Sequence, residues 1–287
     1  MTDVKPFGRT SRVASGVARV VLVTFAWSIA IFDIFIFVWM LASSVKTTRG
    51  IFENPWSIPL PGDWQLDNYD AAWVAGDFGS GAFNSAAVVS LSTIAVIVIA
   101  SPAAYALSRF RVRGSRAITL GFALGLGVPG PAVFIPVFIL LDRMGLVNSL
   151  FGLFVVYVGI NLPFAVFFLT GFFGGLPAEL EEAASLDGAS VGRTYWQIML
   201  PQATSGVLTC GLLTFLAIWG ETLFALVILQ DKVTLPIALL NFAQTMQYNG
   251  AQWAVLFAGC VTITLPVLVI YAWFGRRILS QFTFSDK

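Results

Sequence analysis

The chain has 287 residues, 57% of them hydrophobic and 11% charged, with 16 Lys and Arg, 15 Asp and Glu and no His. A soluble chain carries about 25% charged residues, so this one cannot cover a water-facing surface, and its mean hydropathy of +0.84 makes lipid its main solvent. The same apolar content excludes disorder, and the lack of His removes the commonest metal ligand and the usual base near neutral pH.

A helix needs about 20 mostly apolar residues to cross a bilayer, so the intervals between charges locate the spans. Residues 1–19, with Lys5, Arg9, Arg12 and Arg19, precede 26 residues before Lys46 that hold a single charge, Asp33. A secretory signal has an apolar core of about 7 to 15 residues, so this stretch reads as a retained first span, Val20 to Leu41. Asp33 either snorkels, pairs with another helix or touches a solute. Residues 42–82 form a loop in which Lys46 and Arg49 face Glu53, Asp63, Asp67, Asp70 and Asp77. The 31 uncharged residues between Asp77 and Arg109 supply a second span, Phe83 to Leu107. A third follows at Ile118 to Leu141 and a fourth at Leu150 to Phe173.

Gly125, Gly127 and Gly130 satisfy the GxGxxG pattern, but that fingerprint requires a strand before it and a helix after it. Beside Pro129 and Pro131 the glycines predict a span broken at Val128 to Pro131. Lipid tolerates such a break only where neighbours or a water cavity satisfy the freed backbone, so Pro129 is expected to line a path. The GxxxG pairs Gly121/Gly125 and Gly171/Gly175 predict close helix contacts.

Leu176 to Pro201 is a different kind of segment: long, acidic (Glu179, Glu181, Glu182 and Asp187 against Arg193) and patterned like folded protein. Pro177 suits the first position of a helix. The glutamates then occupy its first turns, where the macrodipole favours anions, and Gly188 suits its left-handed end. A second short helix is expected from Val191 to Met199, stopped before Pro201. Surface-lying amphipathic helices are usually rich in Lys and Arg, so an acidic, Ala-faced knob fits a protein partner better than lipid.

A fifth span, Ser205 to Leu229, is apolar except for Glu221, and a sixth runs from Trp253 to Phe274. Asn161, Trp219 and Glu221 stand out as polar or aromatic groups inside spans. Glu221 admits two readings, an interhelix bond or a place in the path or gate. Thr234 to Trp253 is uncharged and amphipathic. Cys210 and Cys260 lie alone in apolar stretches, so neither a disulfide framework nor a metal site is indicated.

Positive residues near span ends stay in the cytoplasm. Lys5, Arg9, Arg12, Arg19, Arg109, Arg111, Arg113, Arg116, Arg193, Arg276, Arg277 and Lys287 fall on one side, and Lys46, Arg49, Arg143 and Lys232 on the other. Both termini, 1–19 and 276–287, are therefore expected to be cytoplasmic, and the fold class is an all-α integral membrane protein with six transmembrane helices.

Glu182, Ala183 and Ala184, three residues, Gly188, nine residues, Ile198, one residue, Leu200 and Pro201 together resemble the EAA loop of permease subunits of binding-protein-dependent ABC importers. The wider chain is similar to the maltose-type carbohydrate subfamily. Asn68-Tyr69, Asn84-Ser85, Ala103 to Phe110, Gly145 to Asn148, Leu162-Pro163-Phe164 and Asp187 to Ser190 carry the likeness, which runs from about Asn68 to Arg277. Two features depart from it: Trp219-Gly220-Glu221 replaces Trp-Asn-Glu or Trp-Asn-Asp, and the chain ends in Ser280 to Lys287 rather than a Gly-Leu-Thr-like tail.

The resemblance implies a MetI-like permease fold, with residues 83–275 as the permease domain and 176–201 as a cytoplasmic coupling loop. It implies that Glu182 contacts an ATPase subunit, that Ala183 and Ala184 allow close approach, that Gly188 makes the turn, and that Asp187, Ile198, Leu200 and Pro201 complete the docking set. It implies a heterodimer with a second permease, two ATPase subunits holding ATP and Mg, and an extracytoplasmic solute-binding protein. This chain lacks a GxxxxGK phosphate loop, so no catalysis and no bound cofactor is expected of it; lipid is its other partner and nucleic acid is not one. An ion-coupled secondary carrier is the competing reading, but such carriers favour internal repeats and carboxylate or His relays. An intramembrane enzyme lacks a supporting motif.

Overall fold

The computed structural model describes residues 10–110, 113–249 and 252–282, and the described residues form helices and connecting turns. Lys5, Arg9, Arg111 and Lys287 of the charge count, and the chain end from residue 283, lie outside these. Helix α1 (Thr10–Ser44) leads into the short α2 (Thr48–Glu53) and α3 (Asp67–Ala75), then α4 (Phe78–Arg109). α5 (Ser115–Gly125) and α6 (Phe134–Arg143) flank a 3₁₀ turn, Gly130–Val133, and α7 runs over Leu150–Gly174. After α8 (Glu179–Leu186) and α9 (Val191–Thr194) comes a π turn, Tyr195–Met199, continuing into α10 (Leu200–Gln202). The remaining helices are α11 (Thr204–Trp219), α12 (Leu223–Ile228), α13 (Leu235–Asn249) and α14 (Trp253–Phe282).

Four stretches are long and apolar enough to cross a membrane: Arg19–Ser44, Phe78–Arg109, Leu150–Gly174 and Trp253–Ala272. Two bent pairs, α5 with α6 at 99° and α9–α10 with α11 at 73°, bring the number to six when each counts as one span. α4 and α7 pack along each other at the centre and pass through both hydrophobic clusters. One cluster gathers Phe78, Leu153, Tyr157, Phe224 and Leu235 toward the α13 end. The other gathers Ala104, Tyr105, Phe173, Tyr195 and Met199 toward the α8 end.

The expected break in the third span is present, because Pro129 and Pro131 supply no backbone N–H and Pro129 is extended (φ −67°, ψ 130°). The fifth span corrects the expectation of one continuous helix from Ser205 to Leu229. It stops at Trp219 and restarts at Leu223, since Glu221 turns its carboxylate onto the N–H groups of Phe224 (2.9 Å) and Ala225 (3.3 Å). A side-chain acceptor at that offset is a helix-starting signal.

The second helix of the acidic loop also differs: it does not stop before Pro201 but runs through it to Gln202. In a regular helix the Pro201 ring would clash with the carbonyl of Gln197. Here the preceding turn is widened, with Leu200 N–H donating to the Tyr195 carbonyl five residues back. Of the GxxxG glycines, Gly125 approaches the Pro163 side chain of α7, whereas Gly121 and Gly171 face open space. The Gly171/Gly175 pair therefore marks no close contact within this chain.

Candidate functional site

Two regions concentrate unusual side chains. The first is the acidic loop. Pro177 precedes α8 by two residues rather than starting it, because Arg109 Nη2 donates to the carbonyls of Leu176 (2.6 Å) and Pro177 (3.4 Å) and fixes the approach. α8 ends as Gly188 demands: with φ +72°, Gly188 donates to Ser185 O at 3.1 Å and Ala189 to Ala184 O at 2.9 Å. That paired closure needs a left-handed residue after the helix, which glycine adopts without steric cost. Ser190 then opens α9, its hydroxyl accepting from Arg193 N–H.

The eight loop residues named from the sequence divide between two faces. Glu182, Ala183, Asp187, Gly188 and Pro201 are exposed. Ala184 is buried, and Ile198 and Leu200 pack onto the inner cluster, so the eight residues do not all stand at the surface of this chain. These three hold the loop's shape. The loop also exposes three large apolar side chains that the motif did not single out: Leu186 (88% exposed), Val191 (59%) and Trp196 (65%). This chain thus leaves Leu186, Val191 and Trp196 uncovered in the same loop as the exposed carboxylates.

The second region is a cavity of about 350 Å³ where the two broken spans meet α7. Gly125, Val128 and Gly130 line it from one break, Ala217, Glu221 and Phe224 from the other, and Tyr157, Asn161 and Pro163 from α7. Glu221 accepts three hydrogen bonds on two oxygens, from Phe224 N–H, Ala225 N–H and, at 2.9 Å, the hydroxyl of Tyr157. Asn161 Nδ2 donates to the Tyr157 carbonyl at 2.8 Å. Phe134 meets Phe224 edge to face at 4.4 Å and closes one wall.

Asn161 and Glu221 are thus brought together, whereas Pro129 and Trp219 are not among the lining residues. Trp219 is buried against Phe215 and donates to the Ile263 carbonyl of α14 at 3.3 Å; it joins helices rather than facing the cavity. Tyr157, which sequence reasoning passed over, bridges α7 and the fifth span. Among the described residues no group of His, Cys, Asp and Glu could hold a metal.

Residues 97–280 match the family of binding-protein-dependent transport system inner membrane components. The chain belongs to that family. It is 37% identical over 263 residues to the diacetylchitobiose uptake system permease protein NgcG of Streptomyces coelicolor, covering 90% of this chain and 85% of the relative. It is 30% identical to the trehalose transport system permease protein SugB of Mycobacterium tuberculosis, covering 85% and 87%. In fold it is similar to a chain of a bacterial ABC transporter involved in the import of the acidic polysaccharide alginate, with a TM-score of 0.75 at 22% identity, covering 95% of this chain and 99% of that one. Membership makes this chain a non-catalytic, inner-membrane permease subunit of an ABC importer and decides against the ion-coupled carrier.

Proposed function

We propose that this permease passes a neutral carbohydrate, that α8 and the turn at Gly188 dock into a cytoplasmic ATPase subunit, and that both chain ends are cytoplasmic. The docking reading rests on one observation: Glu182 stands exposed in the same loop as the exposed Leu186, Val191 and Trp196. The assembly would contain a second permease, two ATPase subunits that bind ATP and Mg, and an extracytoplasmic binding protein. The partner permease has a surface waiting for it. α1 leaves Val20 to Val38 largely exposed with Asp33 among them, and a carboxylate within a span costs least against protein or water.

A carbohydrate suits the cavity as well as the names of the relatives. Its polar groups are a carboxylate, an amide and a phenol beside the ring of Phe224, the mixture of acceptors and apolar surface that a hydroxyl-rich ring uses. The test is replacement of Glu182 by Lys in the complex expressed with its ATPase. Loss of ATPase co-purification together with loss of uptake is expected, and retention of both would overturn the docking role. Gly188→Pro, which removes the left-handed turn and an N–H donor, is expected to give the same loss.

A further inference from the structure

The docking loop is joined to the membrane helices by more than its own chain. The direct connection from α7 passes through Gly174 and Gly175, a pair that transmits force poorly because glycine backbone is the least restrained. Side chains of α4 bypass it. Tyr105 donates its hydroxyl to Glu181 Oε1 at 2.7 Å, Arg109 holds the Leu176 carbonyl at 2.6 Å, and Arg109 Nε lies 3.4 Å from Glu181 Oε2. The Arg109 side chain is only 10% exposed and that of Glu181 24%, so this ion pair escapes most of the screening that weakens surface pairs. The Tyr195 hydroxyl donates to Ser101 Oγ at 2.8 Å and ties the π turn to the same helix.

The other end of α4 is fastened just as closely to the segment leading into α13. Ser85 Oγ accepts from Leu235 N–H at 2.8 Å, and Asn84 Nδ2 donates to the Val233 carbonyl at 2.8 Å. Gly81 lets the backbones meet: a Cβ there would stand 3.2 Å from Leu235 backbone and from the Ala238 side chain. Ser85 and Tyr105 are twenty residues apart on one continuous helix, which carries Pro102 in its interior, a separation of about 30 Å, the thickness of a bilayer core.

We infer that α4 is the transmission element of this permease, and that Tyr105, Arg109 and Glu181 at one end and Asn84 and Ser85 at the other are positioning residues that convert displacement of α8 into displacement of residues 233–235 and α13. The inference rests on the docking reading of α8. A helix clamped at both ends is the kind of contiguous physical element through which two distant sites bias each other. The clamps act without touching either ATP or solute.

The test uses the assembled importer in nanodiscs, with Cys210→Ala and Cys260→Ala and a nitroxide label at Gln244→Cys on the exposed side of α13. ATP with vanadate should change the label's mobility in this background. Tyr105→Phe combined with Arg109→Gln should cut that change by about threefold or more while the ATPase still co-purifies. Ser85→Ala combined with Asn84→Ala should do the same from the other end, and Ser85→Thr, which keeps the hydroxyl acceptor, should preserve the response. Full response in both double variants, or a loss with Ser85→Thr as complete as with Ser85→Ala, would overturn the transmission role. Absence of the ATPase from the complex of the unsubstituted chain would overturn the docking reading itself, and the inference with it.

Discussion

Glu221 illustrates how one side chain can decide the path of a span. Its two oxygens serve the first free N–H groups of α12 and the phenol of Tyr157, and hydrogen bonds to a charged acceptor contribute about 1.5–3 kcal/mol each at most. Replacement by Ala leaves a buried phenol and two N–H groups unpaired, so Glu221→Ala should lower stability by about 2–3 kcal/mol. Glu221→Gln keeps one carbonyl acceptor and should cost less than half of that; thermal unfolding of the purified variants measures both. Lys46 lies outside the spans and poses a separate question of charge. It is buried and donates to the carbonyls of Asn54 (2.9 Å) and Pro55 (3.3 Å), and burial holds its ammonium below the ordinary lysine value of 10.5. The unfolded chain therefore binds more protons between the folded value and 10.5, so stability should rise with pH through that window. Lys46→Met should lack this rise in unfolding midpoints followed across alkaline pH. The role of Gly188 was legible in the sequence because a helix end is a local signal. The bond from Tyr157 to Glu221 was not, because it joins residues 64 apart in the chain.

Helices were easier to foresee than their interruptions. The interval between charges placed α1, α4, α7 and α14, since lipid leaves no alternative for long apolar runs. The π turn before Pro201 and the restart at Leu223 depend on which carbonyl or carboxylate each N–H finds, and hydropathy carries no such information. The same dependence explains Gly145 to Asn148, recognisable in the sequence but without an assigned task. Asn148 takes a left-handed conformation (φ +57°), accepts on Oδ1 from Gln230 N–H (3.0 Å) and Asp231 N–H (3.1 Å), and donates to Asp231 Oδ2 at 2.8 Å. It pins the start of α7 to the strip that leads into α13. Asn148→Asp would set two carboxylates against each other with no donor between them. Uptake by that variant should fall, and Asn148→Asp with Asp231→Asn, which returns an amide donor to the pair, should restore it. Rescue by the second substitution would separate this pin from a general loss of folding.

At the scale of the whole molecule, the two ends of the permease differ in kind. One end presents the acidic loop with Leu186 and Trp196 uncovered, and the other presents α13, uncharged and packed on α4 and α14. The charge count predicts which end meets the cytoplasm: Arg109, Arg113, Arg116 and Arg193 gather near the acidic loop, while Lys46, Arg49, Arg143 and Lys232 lie toward α13. Translocation retains positive loops, so the acidic loop should be inside even though its own carboxylates outnumber its one arginine. A single cysteine on each side tests this directly. With Cys210→Ala and Cys260→Ala, a membrane-impermeant maleimide should label Gln244→Cys in intact spheroplasts and Ser185→Cys only in inverted vesicles. Both positions are exposed on their helices, and stripping the ATPase from the inverted vesicles with urea keeps a docked partner from covering Ser185→Cys, so failure to react would report sidedness. The opposite pattern would place α8 outside the cell, where no ATP is hydrolysed, and would remove the docking role and with it the inference that α4 carries displacement from α8 to α13.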